Sequence, residues 1–232
     1  MKGYLVRTPK FVQRMFPERV WTFPNSDLPA GKTGNTVYLT FDDGPIPEVT
    51  PWVLEELKKT NAKATFFCIG DNIKKHPDLF RRIIAEGHSV GNHTFDHLNG
   101  WKTNTAEYIE NVINAEEEMR KVNEAGSTKL QDDENVVSEI PDLFRPPYGK
   151  ISSTQSQILQ QKGCKIIMWD VLSGDFDPSI SEENCFNNVS ENINAGSIVV
   201  FHDSLKAEKN LRYVLPKVLE IISEKGWKSE RI

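Results

Sequence analysis

Two carboxylates stand side by side in Thr40-Phe41-Asp42-Asp43-Gly44-Pro45, directly after the apolar run Val37-Tyr38-Leu39. The run reads as a buried strand and Gly-Pro as the turn that ends it, so both charges arrive where a strand stops. Side chains alternate between faces along a strand, but past its end a turn can swing two of them toward one cleft. Like charges there push one pKa up unless a cation intervenes, and a metal ion is such a cation. The stretch Gly87-His88-Ser89-Val90-Gly91-Asn92-His93-Thr94-Phe95-Asp96-His97 holds two imidazoles, His93 and His97, four positions apart. On a helical turn that spacing places both on one face. With one Asp43 oxygen they form a two-histidine, one-carboxylate set, the pattern of catalytic zinc sites that keep a fourth position for water. Non-haem iron oxygenases use the same set, and the histidine spacing alone also fits two solvated or hydrogen-bonded rings.

Three further segments follow in order: Arg145-Pro146-Pro147-Tyr148-Gly149, Trp169-Asp170-Val171-Leu172-Ser173-Gly174-Asp175-Phe176, and Val200-Phe201-His202-Asp203. Together the five resemble the signature of the carbohydrate esterase family 4 polysaccharide deacetylases, from about Val37 to the C-terminus. The resemblance implies an α/β fold, an irregular (β/α) barrel of about seven parallel strands. It implies a metal-dependent hydrolase that removes acetyl groups, chiefly N-acetyl, from an amino sugar or polysaccharide. The implied cofactor is a divalent metal, first of all Zn2+, on Asp43, His93 and His97, and the implied partner is a carbohydrate.

The same resemblance assigns roles that physical chemistry can support. Asp42, beside the ligand yet free to face water, is the implied base. Arg145 is the implied contact of that base; the two prolines after it fix an extended path, and an adjacent guanidinium favours the charged carboxylate. The backbone N–H at Tyr148 is the implied oxyanion donor, and such donors are typically worth a few kcal/mol of barrier. His202 is the implied acid for the leaving amine or alcohol, with Asp175 the carboxylate that keeps it charged. Departures from the family pattern are Leu172 in place of a second acidic residue, Phe176 for tryptophan and Val200 for leucine. None removes a ligand, the base or the acid. Tyr148, Phe176 and Val200 form the expected wall for the acetyl methyl and sugar face, so the departures bear on substrate more than on chemistry. Two other readings stay open: a C–N hydrolase of the same superfamily acting on a ureide or cyclic imide, and a carbohydrate-binding pseudoenzyme, whose expected sign is a lost ligand or base.

These side chains need a scaffold. From Val37 onward short apolar runs alternate with longer amphipathic ones, the mark of βα units and a parallel sheet. Strands are expected at 37–42, 64–69, 88–93, 142–145, 165–171 and 197–202. Helices are expected at 50–60, with Thr50 as cap, and at 77–86, 104–123, 152–162, 181–194 and 209–225. Every motif then falls at or just after the C-terminal end of a strand, where barrels gather catalytic groups. Six to seven strands fit an open doubly wound sheet equally well.

Residues 1–36 carry scattered bases with Phe11, Met15 and Phe16 at helical spacing. They are expected to strap around a catalytic domain at 37–232, with membrane-surface contact as the alternative. Residues 123–140, including Gln131-Asp132-Asp133-Glu134-Asn135, read as an exposed acidic loop. His76 and His88 match no functional position and read as structural.

Composition narrows the rest. The 232 residues are 38% hydrophobic and 26% charged with a formal net charge of -5, ordinary for a globular protein and without the basic surface that nucleic acid requires. Cys68, Cys164 and Cys185 form no CxxC and read as buried inert thiols. No 7–15-residue apolar segment follows the N-terminus and no run reaches the ~20 residues of a membrane span, so a cytoplasmic location is the expectation. Oligomeric state has no sequence signal here.

Overall fold

The structure, a computed structural model, describes residues 4–23, 34–127 and 142–232. Its centre is β1 (Thr36–Asp42), whose alternating and then continuous burial reflects a strand flanked on both sides. β2 (Ala64–Cys68), β3 (Ser89–Asn92), β4 (Leu143–Phe144) and β5 (Lys165–Ile166) follow on one side of it. β7 (Ile198–His202) and then β6 (Val171–Leu172) lie on the other, giving the order β5-β4-β3-β2-β1-β7-β6. All six pairings are parallel, and short β8 (Lys228–Ser229) adds to the start of β1. The seven strands form a half-barrel wrapped by helices.

Parallel strands must be covered, and their continuous apolar runs require it. Phe41 stacks on Phe66 at 5.0 Å and on Phe201 at 5.8 Å, tying β1 to β2 and β7. Against this layer pack α2 (Thr50–Lys59), α4 (Pro77–Ala85), α7 (Glu182–Ser190) and α8 (Glu208–Glu224), which bury Leu54, Phe80, Val189 and Leu215. Truncating Phe41 to alanine costs about 3–5 kcal/mol by the usual sum of lost transfer energy and cavity. A second cluster joins Trp21, Tyr108, Val112, Phe144 and Met168, and so includes α5 (Thr105–Ser127). α6 (Ser153–Gln161) opens with a reciprocal capping box between Ser152 and Gln155.

Several expectations need correction. The 165–171 strand breaks into β5 and β6, because the N-terminal strap takes up backbone bonds between them: Val20 donates to Ile166 O and accepts from Met168 N. α5 runs on through Ser127, so 123–127 is helix rather than loop; 128–141, with the rest of the acidic stretch, lies outside the described residues. α3 (Gly70–Lys75) and β8 were not expected, the first too short and polar, the second only two residues long. Thr50 does not cap α2 with its side chain; its hydroxyl is engaged elsewhere.

Residues 4–23 lie against the sheet, but α1 (Lys10–Met15) turns inward a different face from the one that Phe11 and Met15 mark. It leaves Phe11 and Met15 each 65% exposed. Val12 and Phe16, one position on and also four apart, turn inward onto the cluster around Trp21. Arg7 bridges Val171 and Thr22 bridges Ser197, both antiparallel and both at the β6–β7 end of the sheet, while Val20 bridges Ile167 just past β5 at the other end. Among the described residues no helix is long and apolar enough to cross a membrane.

Candidate active site

The C-terminal ends of β1, β3, β4 and β7 converge, and Asp42 lies in direct register with His202 on the neighbouring strand. Asp42 is buried, and Arg145 Nη1 donates to its Oδ1 at 2.8 Å. The guanidinium is itself fully enclosed. It spends its other donors on Thr40 Oγ1 at 2.7 Å, Ile167 O at 3.2 Å and Met168 O at 3.0 Å, and lies 4.1 Å from the Phe67 ring centroid. A positive charge in an apolar layer is tolerated only because every arm of the fork is paired.

Asp43 follows in a left-handed conformation, φ 81°. Thr94, His97 and Tyr148 share that sign of φ, and Asn61 is the remaining non-glycine case among the described residues. Four such residues around one opening mark a place where the fold holds strained backbone, at roughly 1–3 kcal/mol each. His93 and His97 therefore do not sit on a helical turn. They leave β3 on an irregular loop, held by Asn92 Oδ1 accepting from Thr94 N at 2.8 Å and Asn111 Oδ1 accepting from Phe95 N at 2.8 Å.

The loop nevertheless brings the rings together. His97 Nε2 lies 3.2 Å and His93 Nε2 3.7 Å from Asp43 Oδ1, and the three donor atoms lie within 4.8 Å of one another. Asp43 Oδ1 is buried without a satisfied hydrogen bond. An orphaned carboxylate oxygen facing two imidazole nitrogens is the donor set a divalent cation completes. His93 Nδ1 donates to Arg145 O at 2.8 Å, which leaves Nε2 bare toward Asp43. Burial pushes the His93 ring down to about 4, so it is neutral and able to ligate at neutral pH. Burial alone would raise the Asp43 carboxyl, but His97, His202 and His93 more than offset it and hold it well below the usual carboxylate range. The residues present fit a metal.

On the opposite side, His202 Nδ1 donates to Asp175 Oδ1 at 2.8 Å, and its backbone N–H donates to Asp175 Oδ2 at 2.7 Å. Burial would lower this ring; the fully enclosed Asp175 carboxylate outweighs it and lifts His202 to about 9. An imidazolium is thus available at neutral pH. Phe176 packs its ring against His202 at 4.9 Å and against Tyr4 of the strap at 5.2 Å.

Residues 30–167 match the family model for polysaccharide deacetylase. The chain belongs to the polysaccharide deacetylase family. It is 38% identical over 168 residues to a peptidoglycan-N-acetylglucosamine deacetylase of Bacillus cereus, covering 72% of this chain and 56% of that protein. It is 34% identical over 170 residues to a chitooligosaccharide deacetylase of Azorhizobium caulinodans, covering 73% and 74% respectively. In structure it is similar to the Bc1960 peptidoglycan N-acetylglucosamine deacetylase, solved in complex with 4-naphthalen-1-yl-N-oxidanyl-benzamide. The TM-score is 0.80 at 31% identity, covering 97% of this chain and 95% of that one. The chain thus spans little more than half the length of the first of these relatives.

In this member of the polysaccharide deacetylase family, Tyr148 also brings its side chain to the opening. It is 61% exposed, sets its ring 4.6 Å from that of His97, and its hydroxyl lies 3.0 Å from His97 Nδ1. Among the described residues its N–H meets no protein acceptor. Val200, by contrast, is only 1% exposed, paired in register with Thr40 and Leu172 beneath the opening, so it offers substrate no surface. The expected wall reduces to Tyr148 and Phe176.

Sequence reasoning placed Asp203 in a motif but missed its part in holding the Asp42-Asp43 turn. Its Oδ1 accepts from Gly44 N at 3.0 Å, its Oδ2 from the Thr50 hydroxyl at 2.5 Å, and its own N–H donates to Asp42 O at 3.1 Å. It therefore fastens the turn that presents Asp42 and Asp43. A Cβ at Gly44 would stand 2.0 Å from Asp203 Oδ2, which is why only glycine fits there. Burial lifts the Asp203 carboxyl to about 8, against the Thr50 hydrogen bond. The signal was present: a charged residue directly after a buried strand, next to the histidine already singled out. Asn72 was also missed; its amide donates to Asp43 O at 2.7 Å. His88 is structural as expected, accepting from Ala64 N at 3.2 Å. Cys68 and Cys185 are buried, whereas Cys164 is partly exposed.

Proposed function

We propose that this chain hydrolyses N-acetyl groups on amino sugars of a polysaccharide, with residues 37–232 as the catalytic domain and 1–36 as a strap packed on it. The observation that carries the reading is one opening that joins an Arg145-paired Asp42, an Asp43–His93–His97 donor set and an Asp175-paired His202. The names of the relatives, peptidoglycan-N-acetylglucosamine and chitooligosaccharide deacetylases, support N-acetylglucosamine as the sugar.

Asp43, His93 and His97 would hold the cation, and a two-nitrogen, one-oxygen set suits Zn2+. When bound, the ion supplies charge that polarises the acyl carbonyl and acidifies water. The chain's own groups do the rest. Asp42, with Oδ1 taken by Arg145, keeps Oδ2 to accept a proton as water oxygen attacks the acyl carbon. The Tyr148 N–H supports the negative charge that develops on the acyl oxygen. As the C–N bond breaks, His202 delivers a proton to the departing nitrogen, with Nδ1 held by Asp175. Acetate and a free amine are the products.

Acetate release from N-acetylated peptidoglycan fragments, chito-oligosaccharides and O-acetylated xylan, measured after chelation and reloading with Zn2+, tests this. Release from the first two, lost on chelation and restored by metal, is the expected result. Release from xylan alone would make the chain an O-deacetylase, and turnover only of ureides or cyclic imides would move it to the rival class.

A further inference from the structure

β6 is the last strand of the sheet path, and the strap pairs with it. Thr8 N donates to Asp170 O at 2.9 Å, Leu172 N donates to Val6 O at 2.8 Å, and Arg7 faces Val171 in an antiparallel bridge. Residues 6–8 thus cover an edge whose amides would otherwise need another partner. The register also decides where the residues before them go. Position 8 stands against 170, 7 against 171 and 6 against 172. Traced back from there, an antiparallel chain puts Tyr4 past the C-terminal end of β6, level with Gly174. The contacts agree, since a Cβ at Gly174 would stand 3.0 Å from Tyr4 Oη. The strap therefore carries an aromatic residue to the end of the sheet where Asp42 and His202 lie side by side.

What Tyr4 meets there is the segment that holds the acid. Its hydroxyl donates to Asp177 Oδ2 at 2.9 Å, and its ring lies 5.2 Å from that of Phe176. Phe176 lies 4.9 Å from His202 in an edge-on arrangement, the favourable geometry for two aromatic rings. The residue before Phe176 is Asp175, the buried carboxylate that accepts from both the ring and the backbone N–H of His202. Residues 173–177 leave the sheet as a turn, so side chains from elsewhere must fix them. From α7, Asn188 Nδ2 donates to Ser173 O at 2.8 Å, and from α8, Asn210 Nδ2 donates to Asp175 O at 3.1 Å. Tyr4 supplies the tie from the strap.

Resting on the deacetylase reading above, we propose that Tyr4 is a positioning residue for protonation of the leaving group. It acts through Phe176 and the Asp175 turn, keeping the His202 ring in the orientation that gives Nδ1 to Asp175 and leaves Nε2 for the departing nitrogen. The strap then belongs to the proton-donating half of the site. The metal half rests on other contacts, from Arg145, Asn92 and Asn111.

Full-length Tyr4→Ala and Tyr4→Phe, loaded with Zn2+ and compared with the wild type, test this. The substrates are N-acetylchitotetraose, whose amine must be protonated to leave, and an aryl acetate whose phenolate leaves unaided. On the first, Tyr4→Ala should lower kcat by about tenfold to a hundredfold with KM nearly unchanged, the usual cost of a small misplacement of a catalytic group. On the second, the rate should change little. Tyr4→Phe keeps the ring on Phe176 and gives up only the bond to Asp177, so its kcat should lie between those of Tyr4→Ala and the wild type. Bound Zn2+ per chain should be the same in all three. The proton on His202 Nδ1, hydrogen-bonded to a buried carboxylate, gives a downfield NMR resonance assigned by its loss in His202→Ala. In Tyr4→Ala this resonance should broaden or vanish through exchange with water. Wild-type kcat on the glycan with an unchanged resonance overturns the proposal. So does an equal loss on glycan and aryl ester, which would make the role of Tyr4 structural only. If the wild type releases no acetate from the glycan, the deacetylase reading fails and the resonance decides alone: retained in Tyr4→Ala it overturns the positioning role, and lost it upholds that role.

Discussion

Arg145 Nη1 and Asp42 Oδ1 are 2.8 Å apart in a place where the guanidinium has no solvent exposure at all. Because the other donors of Arg145 hold Thr40, Ile167 and Met168, the ion pair is also a joint between β1, β4 and the segment before β6. Arg145→Ala strands a buried carboxylate, and breaking such a pair costs about 3–5 kcal/mol, or about 6–20 °C in Tm for a chain of this size. Arg145→Lys should recover part of the stability but not the activity, since one ammonium cannot replace the fork. Thermal melts together with acetate release check this; an Arg145→Ala protein that melts like the wild type would mean the pair is not buried.

The His202 pKa of about 9 has consequences on two axes. If His202 donates the leaving-group proton, kcat/KM should fall on the alkaline side near pH 9. Asp175→Asn should move that limb down toward the ordinary ~6.5 of histidine, because burial is then opposed only by the weaker pull of Asp43 and Asp42. On stability the sign is that of a raised pKa. The contribution is complete below ~6.5 and is lost as pH rises through about 9. The Tm difference between wild type and Asp175→Asn should therefore be largest at pH 6 and shrink by pH 10. An alkaline limb that stays in place would give the tuning to another group.

Asp203 lies next to His202 in sequence and makes a separate prediction. Its folded pKa of about 8 exceeds the 3.8 of a free carboxyl, so it binds a proton on folding across that interval. Its contribution is greatest below ~3.8 and declines as pH rises through about 8. Asp203→Asn, which keeps an acceptor for Gly44 N, should flatten that decline and fold well. Asp203→Ala leaves the Gly44 N–H and the Thr50 hydroxyl proton without acceptors, at about 1–3 kcal/mol each, and should weaken Zn2+ binding because the Asp43 turn loosens. Gly44→Ala should do the same through its 2.0 Å clash. Zn2+ titrations of the three variants decide; equal affinity in all would show that the turn holds itself.

The parts of this fold that were legible in the sequence are those where local pattern and tertiary demand agree. Val37-Tyr38-Leu39 and Ile198-Val199-Val200-Phe201 are long apolar runs that become central strands, and each ends on a chemical residue. The histidine loop misled because its spacing is helical while its backbone is not. Positive φ at Thr94 and His97 is held by Asn92 and Asn111, from β3 and α5, and no local rule anticipates such support. Phe11 and Met15 misled for the converse reason: a single turn of helix has two apolar rows, and only the cluster around Trp21 chooses between them. Val200 looked like cleft wall because it adjoins a catalytic histidine, yet pleating places it on the buried layer with Thr40.

The central claim is a division of labour between adjacent carboxylates, Asp43 for metal and Asp42 for the proton. The direct measurement is bound Zn2+ per chain and acetate release from N-acetylchitotetraose on one preparation of Asp42→Asn. The account predicts metal content equal to wild type, because Asp43, His93 and His97 are intact, with a rate lower by about 10²–10⁴-fold, the usual worth of acid–base catalysis. An Asp42→Asn protein that loses its metal along with its activity, or that keeps both, would contradict it.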